Sequence, residues 1–582
     1  MAWPYGFPSL THEEKLLRRQ TLDLYACIAH YSALVPALLF LLYRLLKRVA
    51  SQVKSGSSSE QTRYSVVPNS PTVKAQLQRP SARFASQWRK VVWWFSDDVY
   101  FLGLHWGQKD EWVLGTIWTA WLLVLSIKGT GNDYFHLTKR FGAIAVSQLP
   151  IQYLLALKAL NPIAWIFASS HEHINRYHRV LGRIIYGLLW LHLIFYNAYF
   201  IMQAIWLKRI FDSVVFCGVL ASFGYHGIAT TAMRKAREYS YRLFFITHLA
   251  VALLTPVLLF FHASSTRFYI AEAFAIFILD LAVRRITTIN SPSTVENIPG
   301  TTLVKVMSSI PVHKLTPFRA TPGSHIYLSV PPQGRSAAVP SSKSAIFDYL
   351  YNPFSVAAVD AEEGTISLIA RVRNGPMTNV LSAYSSATPR PPSESRKITL
   401  AVEGPYGTMA TKYNDLLKWG ATKVLLVSGG VGATFTLPIY QALQSELSSA
   451  KLQFIWAIRG AGDATWAVSN KTTGQVVLED PNIQLYLTGD LGLREQDNGD
   501  SAGGSVELSS MRRTNGRLTA NHNKKRPNIE RIVDDMFRGG PEESVAVLVC
   551  GPIEMNREVQ RRVRPWVMKG RRVWWHNETF GW

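Results

Sequence analysis

Long apolar runs alternate with short polar connections through the first half of the chain, and this pattern stops near residue 290. A run of about 20 apolar residues forms a helix long enough to cross a hydrocarbon core of about 30 Å. Several runs carry Trp or Tyr near their ends, where such rings favour the membrane interface. The pattern predicts seven membrane-spanning helices, at residues 22–46, 111–129, 141–160, 175–202, 212–232, 240–262 and 267–285.

Beyond residue 290 the apolar runs are short and alternate with polar residues between turns rich in Pro and Gly. Runs of this kind at 303–307, 326–330, 366–372 and 398–402 predict antiparallel strands of a small barrel. From residue 421, a buried strand at 423–428 leads into a glycine-rich turn and a helix, and a second buried strand follows at 545–549. This succession predicts an α/β nucleotide-binding domain.

The predicted fold is therefore a multidomain membrane protein, in which an all-α transmembrane bundle precedes a module like that of ferredoxin reductases. We expect an N-terminal helix with a basic flexible linker over residues 1–110 and the transmembrane domain over 111–288. An antiparallel β-barrel over 289–418 and an α/β domain over 419–582 follow. The linker is expected at 50–90, which is rich in Ser, Pro and Gln. Gly, Ser, Asn and Arg dominate 489–527, which predicts a disordered insertion.

The net charge of +23 fits membrane topology better than nucleic-acid binding, because the basic residues cluster beside apolar segments. Segment 47–90 carries nine basic residues against Glu60 alone, and further basic residues lie in 233–242 and at 284–285. All three regions fall on one side of a seven-helix chain, which predicts an outer N-terminus and a cytosolic C-terminal half. Four basic residues on the other side oppose this orientation: Lys139, Arg140, Lys208 and Arg209.

Two histidine pairs with the same spacing lie on two of the predicted membrane helices. His178 and His192 are 14 residues apart, as are His248 and His262. Fourteen residues rise about 21 Å and return to within about 40° of the same helix face. Because neutral imidazole is a common axial ligand of haem iron, the spacing predicts two haem sites stacked across the membrane. His178 would pair with His248 near the cytosol, and His192 with His262 near the outer face.

Four separate histidines, each hydrogen-bonded between helices, are the structural alternative to the haem sites. Arg179 and Arg183 lie near the inner pair, where they could neutralise haem propionates. His171 and His173 precede the apolar core of their helix, and His226 has no partner at the repeated spacing, so we expect all three to be structural. The three cysteines, Cys27, Cys217 and Cys550, are too far apart in sequence to predict a disulfide framework or a zinc cluster.

Two motifs in the barrel region suit a flavin. Asn352-Pro353-Phe354-Ser355 is interpreted as a rigid turn, in which the Ser355 hydroxyl bonds a flavin edge and the Phe354 ring packs against it. Arg371 ends a predicted strand before Gly375 and Thr378, an arrangement that suits a pyrophosphate. Taken alone, either motif is better explained as an ordinary barrel fragment. Gly404 belongs to a Gly-Pro-Tyr-Gly turn at the end of the barrel.

The α/β region carries the pattern of a nicotinamide nucleotide site. Gly429, Gly430 and Gly432 follow a strand and precede Thr434 on a helix, so the backbone can approach phosphates at the helix N-terminus. Arg459 and Arg526 could meet a 2′-phosphate, which favours NADPH over NADH, or they could be ordinary surface charges. At the end of another buried strand stand Cys550, Gly551 and Pro552, where a nicotinamide would lie.

Taken in order, these motifs resemble the ferric reductase and NADPH oxidase superfamily over about residues 110–582, and fungal plasma-membrane metalloreductases in particular. Asn352 stands where that family usually has histidine, and Lys525 replaces a family glycine before Arg526. The resemblance implies an FAD site, an NADPH site and a C-terminal aromatic ring over the flavin. The implied FAD site consists of Pro353, Phe354, Ser355, Arg371, Thr378 and Gly404. The implied NADPH site consists of Gly429, Gly430, Gly432, Thr434, Arg459, Arg526, Cys550, Gly551 and Pro552. The implied ring over the flavin is that of Phe580.

The implied activity is an electron relay from cytosolic NADPH, through FAD and two b-type haems, to an acceptor outside the cell. It needs no general base or protein nucleophile. A ferric or cupric chelate is the favoured acceptor, because the outer connections 203–212 and 263–267 are short. The alternatives are an NADPH oxidase that reduces dioxygen to superoxide and a non-catalytic haem scaffold. A metal-uptake role would imply an iron permease or oxidase as partner.

Overall fold

The computed structural model describes residues 5–55, 80–335, 347, 351–373, 375–386, 397–467, 480–489, 522–523, 526–540 and 542–579. The chain divides into two compact units. Unit 1 comprises Met1–Thr62 and Phe95–Ile286, and unit 2 comprises Arg63–Trp94 and Thr287–Trp582.

Unit 1 is a helical bundle with one β-hairpin. The chain begins with α1 (His12–Ser32) and α2 (Val35–Ser55), and α3 (Pro80–Phe95) belongs to unit 2. The hairpin consists of β1 (Asp98–Phe101) and β2 (Leu104–Gln108). The remaining helices of unit 1 are α4 (Lys109–Ile127), α5 (Tyr134–Ser147), α6 (Leu149–Leu154), α7 (Pro162–Ile166), α8 (His171–Met202), α9 (Trp206–Ile210), α10 (Ser213–Thr231), α11 (Arg234–Tyr239), α12 (Tyr241–His262) and α13 (Arg267–Thr287).

The N-terminal span predicted at 22–46 lies within a longer helical segment, which consists of two consecutive helices. The first helix, α1, begins before the charged stretch, since Thr11 and Glu14 form a reciprocal capping box at its N-terminus. A new helix, α2, starts at Val35, with Pro36 at its second position. Proline is tolerated in the first turn of a helix but not in its interior, which explains a break between the two.

Five helical segments of the described chain are long and apolar enough to cross a membrane: His12–Ala50, Lys109–Ile127, His171–Met202, Ser213–Thr231 and Tyr241–His262. Five of the seven predicted spans therefore meet these criteria, and the spans predicted at 141–160 and 267–285 do not. The predicted span 141–160 is divided into α5 and α6, with Pro150 near the start of α6. The predicted span 267–285 becomes α13, which carries Glu272 and the buried Asp280 within its length.

Contacts at the helix ends show that α5 with α6 nevertheless runs the length of the bundle. Arg176 near the start of α8 donates to Asp110 at the start of α4, with a nitrogen–oxygen distance of 2.7 Å, so these two helices start at the same end. The chain between them must return, and it does so through α5 and α6. Nearly every residue of α5 is buried, which explains how a helix of about 21 Å can lie inside the bundle.

The flexible linker expected at 50–90 is wrong at both of its ends. Residues up to Ser55 continue α2, and α3 starts at Pro80. The helix packs against unit 2, where the buried ring of Trp93 lies 5.4 Å from the ring of Trp575. This apolar contact explains why residues 80–90 form a helix, although the composition of segment 50–90 predicts a linker. Residues 56–79 lie outside the described chain.

A closed antiparallel barrel forms the first part of unit 2. Its strands are β3 (Ile289–Asn297), β4 (Leu303–Ser309), β5 (His325–Ser329), β6 (Asn352–Asp360), β7 (Thr365–Arg371) and β8 (Ile398–Tyr406), in the order β3-β4-β7-β6-β5-β8. Alternating apolar residues such as Val304, Val306 and Leu368 fill its interior. Around the barrel lie α14 (Val312–Ala320) and α15 (Pro376–Ser386), and α16 (Met409–Trp419) follows its last strand.

The motif Asn352-Pro353-Phe354-Ser355 forms the start of β6, so its interpretation as a rigid turn is wrong. Pro353 pairs with Tyr327 and Ser355 pairs with His325 on the neighbouring strand β5. Proline fits the extended backbone at the beginning of a strand, where the missing N–H costs little. Pairing with β5 therefore fixes the positions of these side chains, and a turn does not.

The second part of unit 2 is a parallel sheet covered by helices. Its strands are β9 (Lys423–Gly429), β10 (Lys451–Ile458), β11 (Ile483–Leu487), β12 (His522–Asn523), β13 (Ser544–Cys550) and β14 (Arg572–Glu578). They lie in the order β12-β11-β10-β9-β13-β14, flanked by α17 (Ala433–Glu446), α18 (Ile529–Phe537) and α19 (Ile553–Met568). The predicted succession of helical bundle, antiparallel barrel and α/β domain is confirmed. Most of the insertion expected at 489–527 lies outside the described residues.

Candidate functional site

The four histidines form two pairs between α8 and α12. The ring centres of His178 and His248 are 6.1 Å apart, and those of His192 and His262 are 6.2 Å apart. Each pair joins one residue from either helix, and the two pairs are separated by the same 14 residues on both. The helices therefore run parallel and hold two equivalent imidazole pairs at different depths.

Hydrogen bonds fix the orientation of three of these rings. The Nδ1 atom of His178 lies 2.9 Å from the Gln152 carbonyl oxygen, that of His192 lies 2.8 Å from the Thr138 carbonyl, and that of His262 lies 2.7 Å from the Val214 carbonyl. A carbonyl only accepts, so Nδ1 carries the proton in each ring and Nε2 keeps its lone pair. This is the arrangement of a histidine that ligates a metal through Nε2. Buried His248 Nδ1 has no partner within the described residues.

The separation of the rings fits a haem iron between them. Two metal–nitrogen bonds of about 2 Å, each extended by about 1 Å to the ring centre, separate two axial imidazole centres by about 6 Å. Both pairs meet this distance. Within the described chain, no group of three or more His, Cys, Asp or Glu side chains could hold a bare metal ion. Paired axial ligands without further donors suit haem, whose macrocycle supplies the other ligands.

Two glycines make room for the pair formed by His192 and His262. A Cβ atom on Gly142 of α5 would lie 2.8 Å from His192 Nδ1, and one on Gly218 of α10 would lie 2.6 Å from His262 Cε1. Both distances are shorter than real Cβ contacts, so these positions require glycine while the rings stay in place. Sequence reasoning missed both residues, although small residues on membrane helices are a known signal of close helix packing.

The three histidines that we expected to be structural have local partners. His226 Nδ1 lies 2.7 Å from the Tyr186 hydroxyl, and His173 Nδ1 lies 2.9 Å from the Ser169 hydroxyl. His171 forms an ion pair with the adjacent Glu172. The side chains of Arg179 and Arg183 are exposed on α8, on the same stretch of helix as His178.

In the barrel, the candidate flavin residues lie on neighbouring strands. Phe354 and Ser355 lie near the start of β6, and Arg371 ends β7. Asn352 Oδ1 is buried without a hydrogen-bond partner among the described residues, so an acceptor at this motif is available to a ligand. Thr378 stabilises the turn after β7, because its hydroxyl donates to the Arg373 carbonyl at 2.8 Å.

Arg371 lies at the junction of the barrel and the parallel sheet. Its Nη2 atom is 2.8 Å from Asp463 Oδ2, and a Cβ on Gly430 would lie 3.9 Å from the same nitrogen. The arginine of the barrel motif and a glycine of the nucleotide turn are therefore adjacent. Asp463 was missed from the sequence, since an isolated acidic residue after a strand carries no pattern.

The glycine turn and the Cys-Gly-Pro motif lie side by side at the carboxyl edge of the sheet. Cys550 pairs with Ser428 in register, and a Cβ on Gly432 would lie 2.3 Å from the Cys550 carbonyl oxygen. Pro552 Cδ would lie 2.6 Å from a Cβ on Gly429. Backbone therefore meets backbone at this edge, where parallel sheets bind nucleotides.

Neighbouring contacts hold the glycine turn in place. The indole of Trp456 donates to the Gly430 carbonyl at 2.9 Å, and the Thr434 hydroxyl donates to the Val431 carbonyl at 2.8 Å. A Cβ on Gly551 would lie 3.0 Å from the Gly429 backbone nitrogen, so the two motifs are in close contact.

In the barrel, a Cβ on Gly404 would lie 3.3 Å from the His325 carbonyl, so the backbone is also closely packed at this candidate flavin residue.

Burial raises the pKa of the Cys550 thiol well above its ordinary value, and the nearby carboxylate of Glu578 raises it further. The group therefore stays a neutral thiol at physiological pH. Since the thiolate is the reactive form, Cys550 contributes shape and packing and is not poised as a nucleophile.

The two arginines proposed for a 2′-phosphate are both exposed. Arg459 directly follows β10, and its carbonyl accepts a hydrogen bond from the Gly489 amide at 3.0 Å. This places its backbone at the same edge of the sheet as the glycine turn. Arg526 precedes α18, whose N-cap is Asn528. The expected role of Phe580 falls on a residue outside the described chain.

Family comparisons agree with the order of these sites. Residues 141–259 match the ferric reductase like transmembrane component, 293–410 an FAD-binding domain and 421–564 the ferric reductase NAD binding domain. The chain belongs to the ferric reductase family. It is an integral membrane protein with an FAD-binding domain and an NAD-binding domain.

Curated relatives of this ferric reductase family member cover most of its length. It is 22% identical over 464 residues to the probable metalloreductase AIM14 of Meyerozyma guilliermondii, a match that covers 76% of this chain and 85% of that protein. It is 21% identical over 480 residues to the ferric/cupric reductase transmembrane component 2 of Schizosaccharomyces pombe, which covers 75% and 80%.

Solved structures give weaker matches. A flavohemoglobin from Malassezia yamatoensis matches with a TM-score of 0.33 at 12% identity, covering 76% of this chain and 96% of that one. The ferredoxin reductase in carbazole 1,9a-dioxygenase matches with a TM-score of 0.29 at 14% identity, covering 50% and 69%. These low scores support no conclusion about function.

Proposed function

We propose that the chain is a transmembrane metalloreductase that transfers electrons from cytosolic NADPH, through FAD and two b-type haems, to a ferric or cupric chelate on the outer side of the membrane. The observation that carries the proposal is the stacking of two imidazole pairs, at 6.1 and 6.2 Å, in a chain that also has FAD-binding and NAD-binding domains. The relatives named as metalloreductases support the choice of acceptor.

The four histidines would hold the two haems, and three of them are oriented by a backbone carbonyl of a neighbouring segment. The backbone carbonyls of Gln152 and Thr138 hold His178 and His192, and that of Val214 holds His262. Hydrogen bonds of this kind fix the tautomer and raise the basicity of the ligating nitrogen. These carbonyls would keep the rings of His178, His192 and His262 in place when a haem binds, and the haems would supply the one-electron chemistry.

The nucleotide side would rely on backbone amides. Gly429, Gly430 and Gly432 allow phosphates to approach the N-terminus of α17, whose dipole favours negative charge. Arg371 would add a positive charge for a pyrophosphate beside them, shared with Asp463. Arg459 is the residue that would contact a 2′-phosphate and give the preference for NADPH over NADH.

The proposed topology has seven crossings, with the N-terminus outside and the flavin and nicotinamide domains in the cytosol. It is supported by the parallel course of α4 and α8 and by the basic residues around 47–90 and 233–242. In this proposal, boundaries near residues 110, 288 and 418 separate the N-terminal segment, the transmembrane domain, the FAD-binding domain and the NADPH-binding domain. In the plasma membrane, metal reduced on the outer side would be consumed by an iron permease or oxidase.

The test is an anaerobic assay of the full chain in lipid nanodiscs, with NADPH as donor and ferric citrate or a cupric chelate as acceptor. We expect reduction of the chelate without oxygen, and a lower KM for NADPH than for NADH. In the Arg459→Ala variant this preference for NADPH should disappear while kcat with NADH is unchanged.

Two results would overturn the proposal. Superoxide formation in air without anaerobic chelate reduction would identify an NADPH oxidase. Haem without NADPH oxidation by any acceptor would identify a non-catalytic scaffold. The short outer connection with α9 and the single turn at Ser264–Thr266 favour an acceptor that reaches the membrane surface.

A further inference from the structure

Helix α3 has two apolar faces on opposite sides. At about 100° per residue, Phe84, Trp88 and Val91 fall within about 60° of one another, and Trp93 lies about 180° from their centre. An ordinary surface helix has a single apolar stripe that faces the core. A second stripe on the same short helix therefore requires a second apolar surface.

The Trp93 face is already occupied. Trp93 is 7% exposed and packs in the core cluster that contains the sheet residues Val545 and Val547. Its ring lies 5.4 Å from that of Trp575 on β14. A Cβ on Gly570, just before β14, would lie 3.3 Å from the Ser86 hydroxyl, so the same face of α3 also approaches this strand two turns before Trp93.

The opposite face is exposed. Phe84 is 72% exposed and Trp88 is 59% exposed, and the side chains of Val91 and Val92 are also exposed. The helix carries Arg83, Arg89 and Lys90 and has no acidic residue. Aromatic and aliphatic side chains on one face, with basic residues on the other faces, are typical of helices that lie in the interface of an anionic membrane.

The chain that follows α3 leads directly to the membrane. Only Ser96 and Asp97 separate α3 from β1, and the membrane-spanning helix α4 begins immediately after β2. The hairpin between them has an apolar tip, where Leu102 is 84% exposed and adopts a φ of 50°. A bulky residue rarely occupies this left-handed conformation, so an exposed leucine here needs an explanation other than solubility.

We propose that α3 is an in-plane membrane anchor, with Phe84, Trp88 and Val91 inserted into the interface of an anionic leaflet and Trp93 bound to the NAD-binding domain. The helix thereby keeps the nicotinamide-binding sheet at the membrane surface. Lipid is favoured over a protein partner, because the chain enters the bilayer a few residues later and the helix carries only positive charge.

The test measures membrane depth with nitroxide labels on the full chain in nanodiscs. Cys27→Ser and Cys217→Ser remove two reactive thiols, and buried Cys550 stays unlabelled. Labels are then placed through Phe84→Cys, Trp88→Cys or Val91→Cys. Collision with oxygen, which partitions into lipid, is compared with collision with a water-soluble nickel complex. Ile117→Cys on α4 provides the lipid reference, and exposed Val312→Cys in the barrel provides the water reference.

We expect the three labels on α3 to have oxygen-to-nickel accessibility ratios nearer to that of Ile117→Cys than to that of Val312→Cys. In nanodiscs with about a third phosphatidylserine, the ratio should be higher than in neutral phosphatidylcholine. The double variant Arg83→Gln and Lys90→Gln should lose this difference between lipids.

Labels that behave like Val312→Cys would show that the stripe faces water, and the proposal would be wrong. Labels shielded from both reagents would show that a protein surface, such as a second copy of the chain, covers α3, which also overturns it. Neither result depends on electron transfer, so the anchor and the metalloreductase proposal succeed or fail separately.

Discussion

The membrane bundle and the nucleotide edge both depend on glycine, but in different ways. In the bundle, Gly142 and Gly218 make room for the rings of His192 and His262, which are ends of side chains. At the edge of the sheet, Gly432 makes room for the Cys550 carbonyl, which is backbone. A side chain can move by a few tenths of an ångström, whereas a carbonyl within a paired strand cannot move without disturbing the sheet. The chemistry of the bundle therefore resides in side chains, and that of the nucleotide edge in backbone shape.

The largest expected effect is loss of a ligand from the bundle. His192→Ala should remove the outer haem, halve the haem content and reduce chelate reduction by about 100-fold or more, since loss of even an outer-shell partner of a metal ligand costs about 10–100-fold. Reduced-minus-oxidised spectra and the anaerobic assay measure both effects. The control is His226→Ala, which removes a histidine bonded to Tyr186. Equal haem content in the two variants would contradict the assignment.

The next effect is expected at the nucleotide edge. Gly432→Ala places a methyl group 2.3 Å from the Cys550 carbonyl, and overpacking of this kind costs about 1–3 kcal/mol. We expect the KM for NADPH to rise by about 10-fold or more with unchanged haem content. Gly460→Ala is the matched control, because a Cβ there meets nothing within 4 Å. An unchanged KM in the Gly432 variant would show that this edge can relax.

A smaller effect is expected for glycine beside a ligand ring. Gly218→Ala brings a methyl group 2.6 Å from His262, so we expect a weakened or shifted outer haem signal with the inner signal intact. Gly227→Ala on the same helix is the control, because its Cβ would have no neighbour within 4 Å. Identical spectra in both variants would show that the His262 ring can move away from the added methyl group. Gly218 would then not be required for the haem site.

The smallest effect is expected for Gly182→Ala near the inner pair. Its Cβ would lie 2.9 Å from the amide nitrogen of Gln152, the far end of a flexible side chain. Because that amide can rotate away while the Gln152 carbonyl still binds His178, we expect haem spectra and activity close to those of the unmodified protein. A loss as large as that of the Gly218 variant would show that the Gln152 side chain also positions His178.

Much of the fold was predictable from periodicity. The barrel strands β4, β5, β7 and β8 and the parallel strands β9 and β13 lie within a few residues of the predicted ranges, because alternating or continuous apolar runs mark them directly. Strands β3 and β6 of the barrel were not predicted. The break at Pro36 and the division of α5 from α6 were less apparent, since both lie inside apolar stretches. The length of α5 was also hard to predict, because a helix surrounded by protein need not be as long or as apolar as one that faces lipid.

The sequence by itself determined the domain order and the spacing of the four histidines, since both follow from periodicities of the backbone. It also determined the residue types at the flavin and nicotinamide motifs. Only the tertiary structure decided that the carbonyls of Gln152, Thr138 and Val214 orient the rings, and that Gly432 meets Cys550. These contacts join residues far apart in the chain, and backbone carbonyls leave no mark in a sequence. For the same reason, the sequence alone does not show that α3 has an apolar face left exposed, because this depends on the contact between Trp93 and Trp575 of the sheet.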